Sequence, residues 1–136
     1  MSVFDTSAVL AILYDEEGRE FAEDRVDRGA ISTVNLAEVL RDLVGSYGGD
    51  VDEAYELFHR LPLAVVPPDV QQAKRASELK AVKGLSLGDC FCIALGEARR
   101  APLITADQDW TELSLSVPVE LIRANKHVRP MGLDSN

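Results

Sequence analysis

Long apolar runs are missing from this chain. The longest, Ala8 to Tyr14, is seven residues, where a membrane-spanning helix needs about 20. No Lys or Arg precedes the first apolar stretch, and Asp5 interrupts it. The N-terminus therefore does not read as a secretory leader, and a cytoplasmic protein is expected. Cysteine is limited to Cys90 and Cys92, in a helix-like segment where side chains two apart point about 200° from one another. They cannot share a metal there, and no second pair exists to complete a zinc site. Both are expected to fill the core as small apolar groups. Histidine is limited to His59, after an amphipathic helix, and His127, in the tail; neither reads as a metal ligand. Positive charge is short too, with 14 Lys and Arg against 23 Asp and Glu and a net charge of −9. That balance excludes a protein that holds nucleic acid on a broad basic face. The signatures G-x-G-x-x-G, G-x-x-x-x-G-K-[ST] and G-x-S-x-G do not occur, so dinucleotide binding, P-loop nucleotide binding and a nucleophile elbow lose support.

What is present fits one compact domain. The 136 residues are 46% hydrophobic and 27% charged, as in an ordinary globular protein. Short β-branched or apolar runs recur at Ser2 to Phe4, Ala30 to Val34, Leu63 to Val66, Leu103 to Thr105 and Val117 to Ile122. Between them lie segments with helical spacing, among them Leu36, Val39, Leu40, Leu43 and Val44, then Ala54, Leu57, Phe58 and Leu61. Strands alternating with helices predict an α/β fold, a three-layer α/β/α sandwich around a parallel sheet of about five strands. Gly48 and Gly49 break one helix, Pro62 ends the next, and Pro67 and Pro68 follow the third strand. Residues 1–126 read as a single domain and His127 to Asn136 as a loosely held tail. Lys74, Arg75, Lys80 and Lys83 form a small basic cluster, and Asp15 to Asp24 carries six acids and one Arg; both are expected as solvated helix faces.

Four acids stand at special places. Asp5 follows the first strand and is placed to cap a helix. Asn35 as N-cap with Glu38 three residues on reads as a capping box, as does Ser86 with Asp89. Asp107 and Asp109 follow the fourth strand and are placed to cap a short helix holding Trp110. In a parallel sheet all strands deliver their C-terminal ends to one edge, where ligands bind. Asp5, Glu38 and Asp107 each follow a different strand, and Asp89 opens a helix that runs back from that edge, so all four carboxylates can converge. Two carboxylates about 5 Å apart repel by roughly 3 kcal/mol at an effective dielectric of 20. Either some are protonated or a cation is bound, and an all-oxygen set predicts Mg²⁺ or Mn²⁺. Such a site suits phosphodiester chemistry and lets an acidic protein approach a polyanion.

The ordered set "FDTSA", "TVNLAE", "LSLGDC" and "ITADQDW" resembles the PIN-domain family, and most closely the VapC-type toxins of bacterial toxin–antitoxin pairs. The resemblance runs from about Val3 to Ile122. It implies a metal-dependent endoribonuclease in which Asp5, Glu38, Asp89 and Asp107 form the acidic quartet around Mg²⁺ (or Mn²⁺). Thr105 matches a hydroxyl residue that orients the last acid, Asp109 matches an additional acid, and Thr6 and Ser7 match hydroxyl positions behind the first. It further implies an RNA substrate, a homodimer, and neutralisation by a VapB-type antitoxin whose basic or apolar segment crosses the helices. The acidic face from Asp15 to Asp24 would suit such a partner. Arg41, Lys74, Lys80 and Lys83 are candidates for phosphate contact.

Two other readings remain open at the level of sequence. A phosphoacceptor receiver domain also uses an acidic Mg²⁺ pocket, and would need Asp69 after the third strand and Lys126 after the fifth. A non-catalytic interaction module would keep the fold without the chemistry.

Overall fold

The computed structural model describes residues 1–82 and 84–124. Five parallel strands form one sheet: β1 (Ser2–Phe4), β2 (Gly29–Ser32), β3 (Ala64–Val66), β4 (Leu103–Thr105) and β5 (Val119–Leu121). Their spatial order is β3-β2-β1-β4-β5. The central strand β1 pairs on one side with β2, Val3 opposite Ala30, and on the other with β4, Val3 opposite Leu103. The chain moves outward from β1 to β3 and then returns across the sheet to β4, so the order reverses between β1 and β4. A crevice opens outside the strand ends at such a reversal.

Alternation within the strands divides the core. Phe4, Ile31 and Ile104 face one side, where they pack with α1 (Thr6–Leu13), α2 (Arg19–Glu23), α3 (Thr33–Tyr47) and α4 (Val51–Phe58). Val3, Ala30 and Leu103 face the other, against α5 (Val70–Lys80), α6 (Leu87–Arg99) and Trp110 of the 3₁₀ helix Gln108–Glu112. These two helix layers on one parallel sheet are the predicted α/β/α sandwich. Cys90 and Cys92 are fully buried free thiols in the second layer. No helix among the described residues is long and apolar enough to cross a membrane.

Four local expectations need correction. The second run ends as a strand at Ser32, and α3 begins at once with Ser32 as its cap, accepting from the Val34 amide. Asn35 is therefore inside the helix and buried, and its carboxamide is used elsewhere. The helix before Pro62 stops at Phe58, and β5 spans only Val119–Leu121, with the Pro118 carbonyl and the Ile122 amide closing its ladder with β4. The acidic segment Asp15 to Asp24 is a turn followed by the five residues of α2. Asp15 there has φ +56° and Gly18 has φ +95°, a left-handed conformation that continuous helix does not allow. Gly18 sits so close to Ile122 that a Cβ would approach its carbonyl carbon to 2.9 Å.

The basic cluster is partly consumed. Arg75 forms an ion pair with Glu97 at 2.7 Å, which ties α5 to α6, and a longer one with Glu78 at 3.3 Å within α5. Lys74 and Lys80 are exposed, and Lys83 lies outside the described residues, as do Lys126 and the tail from His127. Asp69 caps α5, accepting from the Gln72 amide, at the end of the edge strand. It does not line the acidic pocket, which removes the receiver-domain geometry.

Candidate active site

The four acids arrive from four separate elements at the reversal point of the sheet. Asp5 leaves β1 and caps α1, its Oδ1 accepting from the Ala8 amide at 2.8 Å. Its carboxylate also accepts from Ser7 Oγ and, at Oδ2, from Thr105 Oγ1 at the end of β4. Ser7 and Thr105 are themselves fixed, since Ser7 Oγ accepts from the Ala106 amide and Thr105 Oγ1 from the Asp107 amide. Glu38 lies on α3, with Oε1 accepting from Thr6 Oγ1 and from Asn35 Nδ2. Asp89 is the third residue of α6 and completes a capping box with Ser86: its Oδ2 accepts from the Ser86 amide at 2.9 Å and its own amide donates to Ser86 Oγ at 3.1 Å. Asp107 caps the 3₁₀ helix, its Oδ1 accepting from the Asp109 amide at 2.9 Å.

For Asp5, Asp89 and Asp107 capping and convergence are thus the same arrangement, whereas Glu38 is held by side chains alone. Each cap ties a carboxylate to the backbone of an element that starts or ends on this edge, and so aims it into one pocket of about 270 Å³. Thr6, Ser7, Leu10, Arg41 and Asp42 complete the wall. In Glu38 and Asp107 one carboxylate oxygen is held and the other takes no hydrogen bond among the described residues. Asp109 is exposed and outside this pocket; with Asp107 and Glu112 it lines a neighbouring depression.

Charge accumulates without compensation. Asp5 is 4% exposed, and burial pushes its carboxyl up from 3.8 to about 6, with the Asp89 charge adding and the Thr105, Ala8 and Ser7 hydrogen bonds opposing. Asp89 is also raised, by burial first and then by the charges of Asp107 and Glu38, against the two Ser86 hydrogen bonds. Arg41 is the one basic side chain on the wall, and it forms no ion pair among the described residues. The donor set is oxygen throughout, which fits Mg²⁺ or Mn²⁺ and not zinc. Among the described residues no three acidic, His or Cys side chains stand in an arrangement that holds an ion directly. Mg²⁺ usually keeps several of its waters and takes one or two carboxylates directly.

Sequence reasoning missed three residues here. Asp42, one turn beyond Glu38 on the same helix face, lines the pocket and accepts from Tyr14 Oη. Asn35 is 1% exposed, and its Nδ2 also donates to the Gly88 carbonyl at 3.1 Å. Gly88 lies directly beneath the Glu38 carboxylate. Asp42 carried a readable signal in its spacing from Glu38; the other two depend on a contact between α3 and α6.

Comparison with known proteins agrees with this geometry. Residues 2–114 match the PIN domain family. A protein named ribonuclease VapC from Mycolicibacterium smegmatis is 32% identical over 113 residues, covering 75% of this chain and 88% of that protein. Ribonuclease VapC30 of Mycobacterium tuberculosis (strain ATCC 25618 / H37Rv) is 30% identical over 125 residues, covering 84% and 95%. Among solved structures, DNA-bound VapBC from Salmonella typhimurium superposes with a TM-score of 0.70 at 18% identity, over 90% of this chain and 98% of that one, a likeness of fold. The chain belongs to the PIN-domain family, in its VapC branch.

Proposed function

We propose that this chain is a Mg²⁺- or Mn²⁺-dependent endoribonuclease, the toxin of a toxin–antitoxin pair. The observation that carries the reading is the convergence of Asp5, Glu38, Asp89 and Asp107, from four elements, on one pocket whose negative charge no ion pair balances. A bound divalent cation would supply a hydroxide nucleophile at neutral pH and stabilise the charge developing on the phosphate. Asp5 and Asp89 would be its principal ligands, with Glu38 and Asp107 completing the site directly or through water. Ser7 and Thr105 hold the Asp5 carboxylate from both sides, and Thr6 holds Glu38. Through Thr105, which donates to Asp5 and accepts from the Asp107 amide, the first and last acids are braced against one another. Arg41, free on the wall, would meet a phosphate oxygen of the RNA strand.

The partner would be a VapB-type antitoxin. Neighbours in fold include structures described as toxin–antitoxin complexes. Next to the acidic pocket, Ala37, Leu40, Val44 and Val51 line an apolar depression of about 390 Å³ that shares Arg41 with that pocket, and Leu13, Leu43, Tyr47, Ala54 and Leu57, with Glu53, line another of about 310 Å³. Asp42 on α3, Asp52, Glu53 and Glu56 on α4, and Asp50, which caps α4, add negative charge beside them. An apolar segment with basic residues fits both the depressions and that charge. The toxin would act in the cytoplasm and as a homodimer.

The test is RNA cleavage with Mg²⁺ and with chelator, on the parent and on Asp5→Asn and Asp89→Asn. Cleavage that needs the ion and is lost in both variants is expected. Undiminished cleavage in both variants refutes the site, and failure of Mn²⁺ and Mg²⁺ to bind by calorimetry favours a non-catalytic module.

A further inference from the structure

The position of Glu38 is set from an element 50 residues away. Its Oε1 is held by Thr6 from α1 and by Asn35 one turn earlier on α3. Asn35 is buried, and its Nδ2 is shared among Glu38 Oε1 at 3.0 Å, the Gly88 carbonyl at 3.1 Å and Thr6 Oγ1 at 3.4 Å. One carboxamide thus locks the first turn of α6 to the carboxylate on α3. The Glu38 carboxylate in turn rests on Gly88. A Cβ built there would overlap Oε2 and lie 2.6 Å from both Cδ and Oε1. Gly88 is in α6 with no left-handed backbone to require glycine, and the nearest obstruction to a side chain there is the Glu38 carboxylate.

We propose that Gly88 and Asn35 are positioning residues for Glu38, the absent side chain at 88 and the amide at 35 together fixing its carboxylate in the acidic pocket. This rests on the reading of Glu38 as part of the metal site. The obstructing atoms are the end of a flexible side chain, so an added methyl displaces the carboxylate and leaves the fold in place. Helix propensity favours alanine over glycine. The combination predicts an unusual signature for Gly88→Ala, intact or improved stability with a damaged site.

The experiment is a cycle of Gly88→Ala, Glu38→Ala and the double variant, with melting temperature, Mn²⁺ affinity by calorimetry and RNA cleavage measured on each. Gly88→Ala is expected to melt at the parent temperature or up to roughly 4 °C higher. It should weaken Mn²⁺ binding by about 3- to 10-fold and reduce kcat at least about 10-fold, with little change in KM. In the Glu38→Ala background the same substitution is expected to change Mn²⁺ affinity by less than about 2-fold, because the atoms it displaces are gone. Asn35→Ala, run through the same cycle, is expected to show the same Glu38-dependent loss of Mn²⁺ affinity and kcat, but with a lowered melting temperature, because it removes the buried donor that ties the Gly88 carbonyl to α3. The proposal is overturned if Gly88→Ala leaves Mn²⁺ affinity and kcat at parent values, if its effect persists undiminished without the Glu38 side chain, or if it unfolds the chain. Parent-like cleavage and Mn²⁺ binding in Glu38→Ala itself strike instead at the functional reading on which the proposal rests.

Discussion

Asp5 should be a site where function is held against stability. Its carboxyl is buried and pushed up from 3.8 to about 6, so without a cation the folded state holds that proton more tightly than the unfolded chain. Between pH 4 and pH 6 the native state carries the extra proton, and stability falls as pH rises through that window and is level above it. Two pH units of difference correspond to about 3 kcal/mol of native-state destabilisation at pH 7.5. Asp5→Asn removes the charge and keeps the shape. It also presents an amide to Ser7 and Thr105, whose hydroxyls now both donate to the carboxylate, and that mismatch costs about 1 kcal/mol. The variant is therefore expected to be more stable than the parent by about 2 kcal/mol at pH 7.5 in chelator, or roughly 8 °C in melting temperature for a chain of this size. At pH 4, where the parent carboxyl is protonated too, the advantage should be gone, and the mismatch leaves the variant the less stable by up to about 1 kcal/mol. The assay is thermal unfolding of both proteins in chelator at matched concentration across pH 4 to 8. A variant less stable than the parent at pH 7.5, or a gap that does not change with pH, refutes the reasoning. Adding Mn²⁺ should narrow or reverse the gap, because only the parent retains the full ligand set and binding stabilises the native state by mass action.

Asp89→Asn should leave the Ser86 cap mostly intact while lowering Mn²⁺ affinity and cutting RNA cleavage by at least about 100-fold; calorimetry and a cleavage assay check it, and parent-like values in both refute it. Ser86→Ala removes the acceptor for the Asp89 amide and should lower the melting temperature by roughly 4 °C, as loss of a cap worth about 1 kcal/mol implies. Arg41→Ala should raise KM for RNA about 10-fold at low salt, with a smaller effect on kcat, the loss of one charge-assisted phosphate contact. An unchanged KM at low salt would remove Arg41 from the substrate path.

Much of the architecture was legible because it is written in local pattern. Ser2 to Phe4 and Leu103 to Thr105 are observed as strands with the expected bounds, since short apolar runs between turn residues have few other uses in a chain of this length. Asp5, Ser86 and Asp107 cap as expected, because an oxygen side chain before a helix has nearby amides to satisfy. Thr33 and Val34 misled: they extend a β-branched run past Ser32, and the helix nevertheless begins there, where Ser32 caps it and strand propensity is only a weak preference. The acidic turn at Asp15 was hidden because charge alone does not distinguish a solvated helix from a solvated turn.

The candidate site shows where such reading stops. Convergence of the four acids on one edge follows from topology, so Asp5, Glu38, Asp89 and Asp107 could be placed together before any coordinate was known. Thr6 of α1 holds Glu38 from one side; the rest of its support is a pairwise fact between α3 and α6, spanning 53 positions from Asn35 to Gly88. A glycine in a helix ordinarily weakens it, and an asparagine three residues before a glutamate ordinarily caps one. Both local rules give the wrong role here, and for the same reason. The carboxylate needs a neighbour without a side chain and a donor without a charge, so that it is held firmly while its negative charge remains available to a cation. A lysine or arginine in place of Asn35 would hold Glu38 more tightly and neutralise it; a larger residue in place of Gly88 would push it aside. The site is thus built by withholding cations as much as by gathering acids, which is why its supports are neutral and individually uninformative in the sequence.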